Sequence, residues 1–235
     1  SRSSKTVLQA GVFYYWGIKM NKFTRRTVIA AACAAAAMTF APMSFAQQAP
    51  EKKDVTIAVG GKSLYYYLPL SIAEQLGYFK DEGLNVKIVY FQGGARSLQA
   101  VVGGSADVVS GAFEHTISMQ AKKQPMTAFV LQGRAPQLAL VVSNKTMKDY
   151  KQLSDLKGKK VGVTAPGSSS QMVANFILKK GGLGPKDVAF IGVGSSSGAV
   201  SAIRSGQIDA LINLDPVITI LLKNGDAKLV ADTRK

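Results

Sequence analysis

The stretch that decides the fold is residues 86–114, VKIVYFQGGARSLQAVVGGSADVVSGAFE, which recurs without a gap as residues 188–216, VAFIGVGSSSGAVSAIRSGQIDALINLDP. Each copy shows the pattern of an apolar strand, a small-residue loop, a helix of about ten residues, a Gly-x-x-Asp break and a second apolar strand. A strand–helix–strand crossover yields parallel strands joined by a right-handed connection. The two copies therefore predict two similar α/β lobes in one chain.

The loops that follow these strands predict where a ligand binds. In an open parallel sheet, ligands lie beyond the carboxyl ends of the strands. Those ends are residues 92–94 and 110–114 in the first copy, and 194–197 and 213–216 in the second. If the two lobes face each other, the four loops line one cleft, which is the arrangement of a binding protein.

The N-terminus predicts export from the cytoplasm. From Met20, three basic residues precede an alanine-rich apolar run, and Ser44-Phe45-Ala46 resembles a cleavage site. We expect a signal peptide over residues 20–46 that is cleaved after Ala46, because the run is weakly hydrophobic for a membrane anchor. The arginine pair leaves both the general secretory and the twin-arginine export machinery open as partners.

The chain is expected to divide into four parts. Residues 1–19 precede the initiator methionine, carry no motif and resemble translated upstream sequence or an expression remnant. After the signal peptide, residues 54–133 are expected to form lobe one and residues 137–235 lobe two. Gly133 and Pro136 indicate a segment that crosses between the lobes. The finer pattern predicts helices over 68–82, 115–123 and 171–180 and a strand over 127–131.

The net charge does not indicate a nucleic-acid partner. The formal charge is +15, but residues 1–46 contain six of the 29 basic residues and none of the 14 acidic ones. The remainder has 23 basic and 14 acidic residues, a formal charge of +9. Its lysines are scattered, and no basic stripe is interleaved with aromatic residues as a nucleic-acid interface requires.

The scarcity of cysteine and histidine excludes several kinds of chemistry. Cys33 is the only cysteine and lies within the predicted signal peptide, so the mature chain has no disulfide, thiolate nucleophile or zinc–cysteine site. His115 is the only histidine, which disfavours a histidine-rich metal site or a Ser-His-Asp triad. We therefore expect no catalytic residue, no metal and no cofactor.

Three segments carry a family resemblance. Residues 73–86, AEQLGYFKDEGLNV, resemble the A-E-x-x-G-Y-F-x-x-E-G-L-x-V signature of periplasmic substrate-binding proteins of the nitrate, taurine and alkanesulfonate type. Residues 153–163, LSDLKGKKVGV, are similar to the segment that begins the second lobe in that family, and residues 203–211, IRSGQIDAL, are similar to its G-x-v-D-A element. The resemblance covers residues 55–230 in order.

This resemblance implies an α/β fold of the type II periplasmic-binding-protein class, in which two lobes joined by two crossing segments close on a ligand. It implies a monomeric periplasmic protein that delivers a small ligand to the permease subunits of an ABC transporter without catalysis. Family members cross back to lobe one about where Lys235 falls. The resemblance therefore implies a C-terminally truncated chain in which the return segment of lobe one is missing and this lobe exposes apolar surface.

Ten residues on the strand-end loops are candidate ligand contacts. They are Tyr65, Gln92, Gly111, Phe113, Glu114, Ser168, Ser169, Ser170, Ser195 and Asp215. The three consecutive serines begin a predicted helix, where hydroxyls and free N–H groups form an anion site, although one of them could simply cap the helix.

The other candidates have structural alternatives. Tyr65 could form a wall of the cleft or pack within lobe one. Gln92 and Ser195 occupy equivalent positions at the rim of the cleft, one in each copy of the repeat. Gly111 permits close backbone approach, and the neighbouring Phe113, Glu114 and His115 either contact the ligand or begin the next helix. Asp215 could hold a ligand amine or make a hinge contact. Asp107 and Asp209 fall at the amino ends of their strands, and we interpret both as structural.

The ligand class is predicted from the same loops. The three serines at the start of the predicted helix and the formal charge of +9 after residue 46 favour a small anionic ligand with a sulfonate or carboxylate group. No arginine falls cleanly on a cleft loop, so no strong oxyanion clamp is predicted.

Two other functions use this kind of fold: an enzyme of thiamine- or pyrimidine-precursor synthesis or of dehydratase type, and the input lobe of a membrane sensor. The signal peptide and the cysteine-free mature chain favour the binding protein.

Overall fold

The computed structural model describes residues 50–234. The predicted signal peptide and residues 1–19 lie outside the described residues. No helix in the described part combines the length and the apolar character that crossing a bilayer requires.

Strands and helices alternate along the described chain. The strands are β1 (Asp54–Val59), β2 (Asn85–Tyr90), β3 (Val108–Ser110), β4 (Ala139–Ser143), β5 (Lys160–Val163), β6 (Ala189–Gly192), β7 (Ala210–Asn213) and β8 (Ala227–Asp232). The helices are α1 (Leu68–Gln75), α2 (Tyr78–Asp81), α3 (Gly94–Val102), α4 (Glu114–Ala121), α5 (Ser169–Lys180), α6 (Ser197–Ser205) and α7 (Val217–Lys223), with 3-10 turns at Tyr65–Tyr67 and Leu153–Leu156.

The strands form two sheets, and the repeated sequence builds the same core of each. The first sheet has the order β2-β1-β3 and is parallel throughout. The second has the order β6-β5-β7-β4-β8, in which β5 is parallel to β6 and β7, whereas β4 is antiparallel to β7 and β8. The units β2–α3–β3 and β6–α6–β7 each cross over one earlier strand, β1 or β5, so the predicted parallel crossovers are confirmed.

Two equivalent aspartates join the strands of these crossovers. The Asp107 N–H donates to the carbonyl of Thr56 (2.9 Å), and its carboxylate accepts from the Thr56 N–H (2.9 Å). Asp209 makes the same pair of bonds to Lys160, at 2.8 and 2.9 Å. The hydrogen bond from Lys52, with that from Thr56, lowers the pKa of Asp107. The structural role predicted for both aspartates is confirmed.

The strand β4 lies at the centre of the larger core. All five of its residues are buried. Leu140 and Val142 pack with α5 and with Ile57 and Val59 of the first sheet, whereas Val141 faces the cluster formed with α6 and α7. A fully buried side chain of this size contributes about 1.5–3 kcal/mol to folding. The second sheet is therefore covered by helices on both faces, and one apolar cluster extends from it to the first sheet.

Exposed apolar side chains are concentrated in residues 65–131. The large ones there are Tyr65, Leu68, Ile72, Leu76, Tyr78, Tyr90, Val102, Phe113, Ile117, Phe129, Val130 and Leu131. The larger second sheet and its helices expose only Met172, Phe176, Ile220 and Leu229 of this kind among the described residues. The first sheet is thus the less well covered of the two.

Two details of the sequence-based prediction are wrong. The strand predicted over 127–131 is absent, because no described strand pairs with this segment, and Phe129, Val130 and Leu131 are 74%, 71% and 75% exposed. The helix predicted over 68–82 is two helices, because Gly77 adopts a left-handed conformation (φ +81°) between α1 and α2.

The strand-end loops of the two sheets contact each other directly. The Ser195 hydroxyl donates to the carbonyl of Gly60 (2.9 Å), and the Ala95 N–H donates to the Ser168 hydroxyl (3.0 Å). A Cβ atom at Gly93 would lie 2.9 Å from both the Cβ and the backbone nitrogen of Ala165. Only a residue without a side chain allows the loops to approach this closely.

This close approach predicts that Gly93→Ala destabilises the protein more than Gly104→Ala. Both glycines have positive φ, +84° and +76°, so both variants add backbone strain of about 1–3 kcal/mol, and Gly93, with ψ 160°, lies in a region that essentially only glycine occupies. Only Gly93 adds a clash, because nothing lies within 4 Å of a Cβ at Gly104. The free energy of unfolding, measured in urea, should therefore fall further for Gly93→Ala. Equal losses would show that the loops separate at no energetic cost.

Candidate ligand-binding site

A cavity of about 230 Å³ lies between the two sheets, at the carboxyl ends of their parallel strands. Its lining includes the residues that follow β1, β2, β3, β5 and β7, namely Gly60, Gly94, Gly111, Thr164 and Leu214. Three of the four loops predicted to line a cleft therefore do so. The loop 194–197 does not.

The structure brings four of the ten candidate contacts to the cavity. They are Gly111, Phe113, Glu114 and Ser169. The other six, Tyr65, Gln92, Ser168, Ser170, Ser195 and Asp215, lie outside its lining. Their hydrogen bonds and packing explain why.

Two of the three serines have hydroxyls engaged within the protein. The Ser168 hydroxyl accepts from the Ala95 N–H across the lobes and is only 2% exposed. The Ser170 hydroxyl accepts from the Thr164 N–H (3.1 Å) and bonds the Thr164 hydroxyl (2.9 Å). Ser169, the first residue of α5, is the one that lines the cavity. The predicted anion site at this helix start is thus reduced to the hydroxyl of Ser169 and part of the first turn, because the N–H groups of Ser168 and Gln171 donate to the carbonyls of Ala165 and Ser168.

Gln92 and Ser195 pack against the opposite lobe. The Ser195 hydroxyl bonds the Gly60 carbonyl, and the Gln92 side chain lies 3.3 Å from where a Cβ at Gly194 would be. This contact explains why the fourth loop touches lobe one instead of lining the cavity.

Tyr65 and Asp215 meet through their backbones. The Tyr65 N–H donates to the Asp215 carbonyl (3.1 Å), while the Tyr65 side chain is 62% exposed. The Asp215 carboxylate accepts from the N–H and hydroxyl of Thr219 in α7 (3.0 and 2.8 Å) and pairs with Arg234 (2.5 Å). The hinge-type alternative for Asp215 therefore fits the geometry better than contact with a ligand amine.

The neighbouring tyrosines form the aromatic wall. Tyr66 and Tyr67 line the cavity and meet edge to face, with ring centroids 5.0 Å apart. The Tyr67 hydroxyl accepts from the Gly60 N–H (3.0 Å), and burial raises the pKa of Tyr67 to about 12. Gln132 donates to the Tyr66 carbonyl (2.6 Å) and accepts from the Ser110 hydroxyl (2.7 Å). The sequence could not distinguish these rings from Tyr65, because the 3-10 turn decides which of three adjacent rings points inward.

Glu114 and His115 supply the most unusual polar groups of the cavity. Both line it at the start of α4, and His115 is only 6% exposed. Glu114 Oε1 and His115 Nε2 are buried and have no hydrogen-bond partner within residues 50–234. Burial lowers the pKa of His115, and Lys122 lowers it further against the opposing effect of the Glu114 carboxylate, so the imidazole is neutral at pH 7.

An arginine reaches the cavity from the crossing segment. Gly133, Arg134, Ala135 and Pro136 line it, and Arg134 is solvent-exposed. The prediction that no arginine falls on the cleft is therefore wrong. A segment that crosses between lobes must pass the cleft, and this could have been read from the sequence at 132–137. Within residues 50–234, no group of three or more His, Cys, Asp or Glu side chains is arranged to hold a metal ion.

Solved structures with the same fold include proteins named as periplasmic binding proteins. A structure from Bordetella bronchiseptica RB50 is 62% identical to this chain with a TM-score of 0.77, covering 78% of this chain and 58% of the other. The alkanesulfonate-binding protein SsuA from Xanthomonas axonopodis pv. citri, solved with bound MOPS, is 24% identical with a TM-score of 0.60, covering 79% and 62% of the two chains. At this identity the second likeness shows the fold alone.

The curated relatives have two kinds of name. The 4-amino-5-hydroxymethyl-2-methylpyrimidine phosphate synthase of Schizosaccharomyces pombe is 26% identical over 68% of this chain and 45% of its own length. YtlA of Bacillus subtilis, which carries the provisional name of a binding protein, is 25% identical over 90% of this chain and 63% of its own length. The chain thus spans about half to two thirds of the length of these relatives.

The family assignment rests on the match along the chain. The sequence profile of the NMT1/THI5-like family matches residues 65–227, which include every cavity-lining residue named above except Gly60. The chain therefore belongs to the NMT1/THI5-like family and has the α/β fold of the periplasmic substrate-binding proteins.

Proposed function

We propose that this protein is an extracytoplasmic solute-binding protein that delivers a small polar ligand to the permease of an ABC transporter. The observation that carries the proposal is the cavity between two sheets, lined by strand-end loops of both lobes and by the segment that connects them. A ligand that contacts both lobes favours the arrangement in which they are closed, which is how such proteins signal occupancy to a permease. The predicted signal peptide at 20–46 supports a periplasmic location, and the binding-protein name of YtlA supports the binding function.

The ligand of this proposal carries a carboxylate or sulfonate group. Ser169 places the first turn of α5 at the cavity wall, where N–H groups and the helix dipole favour an anion. Arg134 adds a cation at the exposed side of the same cavity. The volume of about 230 Å³ restricts the occupant to a small molecule.

A second candidate function is the synthase chemistry of the fungal relatives. It is favoured by the buried, neutral His115 imidazole, whose Nε2 lies at the cavity without a hydrogen-bond partner and could accept a proton from a bound substrate. The two functions differ in what happens to the ligand. A binding protein releases its ligand unchanged, whereas a synthase converts it.

We expect small carboxylates or sulfonates to raise the melting temperature of the protein and to be recovered unchanged. A ligand at a hundredfold excess over its dissociation constant stabilises the folded state by about 2.7 kcal/mol, which a thermal-shift screen detects readily. Mass spectrometry of the released compound then tests for turnover. Conversion of any bound compound would contradict the binding function and favour the synthase. A broad screen with no stabilising compound would contradict both.

Arg134→Gln should weaken binding of an anionic ligand by a few-fold. Because Arg134 is solvent-exposed, its ion pair with a ligand is screened and is worth about 0.2–1 kcal/mol, where about 1.4 kcal/mol corresponds to a tenfold change in affinity. Lys148→Gln is the matched control, because Lys148 is an exposed cation that does not line the cavity. Isothermal titration calorimetry of both variants provides the measurement. Equal affinities for the two variants would remove Arg134 from the ligand site.

A further inference from the structure

The polar end of the cavity contains two acceptor-capable atoms that the protein itself leaves unsatisfied. Glu114 Oε1 and His115 Nε2 are both buried atoms, belong to consecutive residues at the start of α4, and have no hydrogen-bond partner in the part of the chain that the structure describes. Leaving a buried polar group unpaired costs about 1–3 kcal/mol, and more for a charged one. Such groups are rare in native proteins unless a ligand or water completes them.

Glu114 is also not paired with any cation of the described chain. None of the ion pairs Lys52–Asp107, Lys62–Glu74, Arg204–Asp226, Arg234–Asp215 and Arg234–Asp232 involves Glu114. Arg134, the arginine that lines the cavity, makes no ion pair with Glu114. A buried carboxylate without a partner attracts a group that donates hydrogen bonds, and most strongly one that is positively charged.

The space beside these groups has an apolar character. Leu64, Tyr66, Met172, Val173 and Leu214 line the same cavity. A ligand with a compact or planar apolar body can therefore fill the middle of the cavity while a polar head reaches Glu114.

We propose that the Glu114–His115 pair is the subsite for a nitrogen head group that donates hydrogen bonds, such as an amine or amidine. The proposal rests on the function proposed above and adds to it the chemistry of one end of the ligand. One N–H of the head group donates to Glu114 Oε1. The imidazole Nε2 of His115 accepts a second N–H when its other ring nitrogen carries the proton. The anionic group of the ligand then lies toward Ser169 and Arg134.

The subsite is tested with three isosteric probes that differ only in the head group: benzamidine, benzamide and benzoate. Titration calorimetry on the protein should give the tightest binding for benzamidine. Glu114→Gln should weaken benzamidine binding tenfold or more and leave benzoate binding unchanged or tighter, because the variant removes only the negative charge. Glu51→Gln is the control, because Glu51 is exposed and does not line the cavity.

A second measurement separates a binding role from a structural one. Without any probe, Glu114→Gln should unfold in urea at about the same concentration as the parent, because removal of an unpaired buried charge offsets the loss of its favourable interaction with the N-terminus of α4. A lower midpoint together with unchanged benzamidine binding would show that Glu114 supports the fold alone, and would overturn the subsite.

The outcomes for the subsite and for the binding function are distinguishable. If benzoate binds and benzamidine does not, the subsite is wrong while the cavity remains a binding site. If benzamidine binds equally well to the Glu114→Gln and Glu51→Gln variants, the head group lies elsewhere and the subsite is also wrong. Binding of none of the three probes overturns the subsite, and the broader thermal-shift screen alone then decides the binding function.

Discussion

The hydrogen bonding of parallel strands is the constraint on which the rest of this structure depends. Consecutive strands of one sheet can be parallel only if the chain returns over the sheet between them, and here α1, α3, α5 and α6 make that return. Every parallel strand of a sheet then ends at the same edge. Because both sheets obey this constraint and their carboxyl edges meet, loops distant in sequence such as Gly60, Gly111 and Leu214 come to line one cavity.

Close contact between the two edges has consequences for the side chains that were candidates for ligand binding. The serines at 168 and 195 have hydroxyls suited to an anion, yet each bonds a backbone group of the opposite lobe. A hydroxyl in such a bond is already satisfied, so a ligand gains little by replacing it. The groups left for a ligand are those that the interlobe contact does not use, chiefly Glu114, His115 and Ser169.

The energy that allows unsatisfied groups to persist comes from elsewhere in the fold. The five buried residues of β4 and the helices on both faces of the second sheet form the larger part of the apolar core. This core can offset the cost of one unpaired carboxylate and one unpaired imidazole nitrogen. Sites of function are commonly where a protein retains such unfavourable features. The apolar core therefore stabilises the fold, whereas the edge of the cavity contains polar groups whose hydrogen bonds a ligand would complete.

The sequence by itself determined the α/β class, the two crossover units and the loops around the cavity, because apolar periodicity and the repeated Gly-x-x-Asp break report local backbone geometry. It also indicated the structural role of Asp107 and Asp209, since their positions in the repeat are equivalent. Tertiary structure alone decided which members of each loop face the cavity. A strand-end loop shows that Tyr65 and Tyr66, or the three serines, lie near a cleft, but not which side chain faces it. The Ser168 hydroxyl is engaged by the Ala95 N–H, 73 positions away, whereas the Ser170 hydroxyl bonds Thr164 in the adjoining loop. Pairing across the lobes is a long-range property that no local pattern encodes.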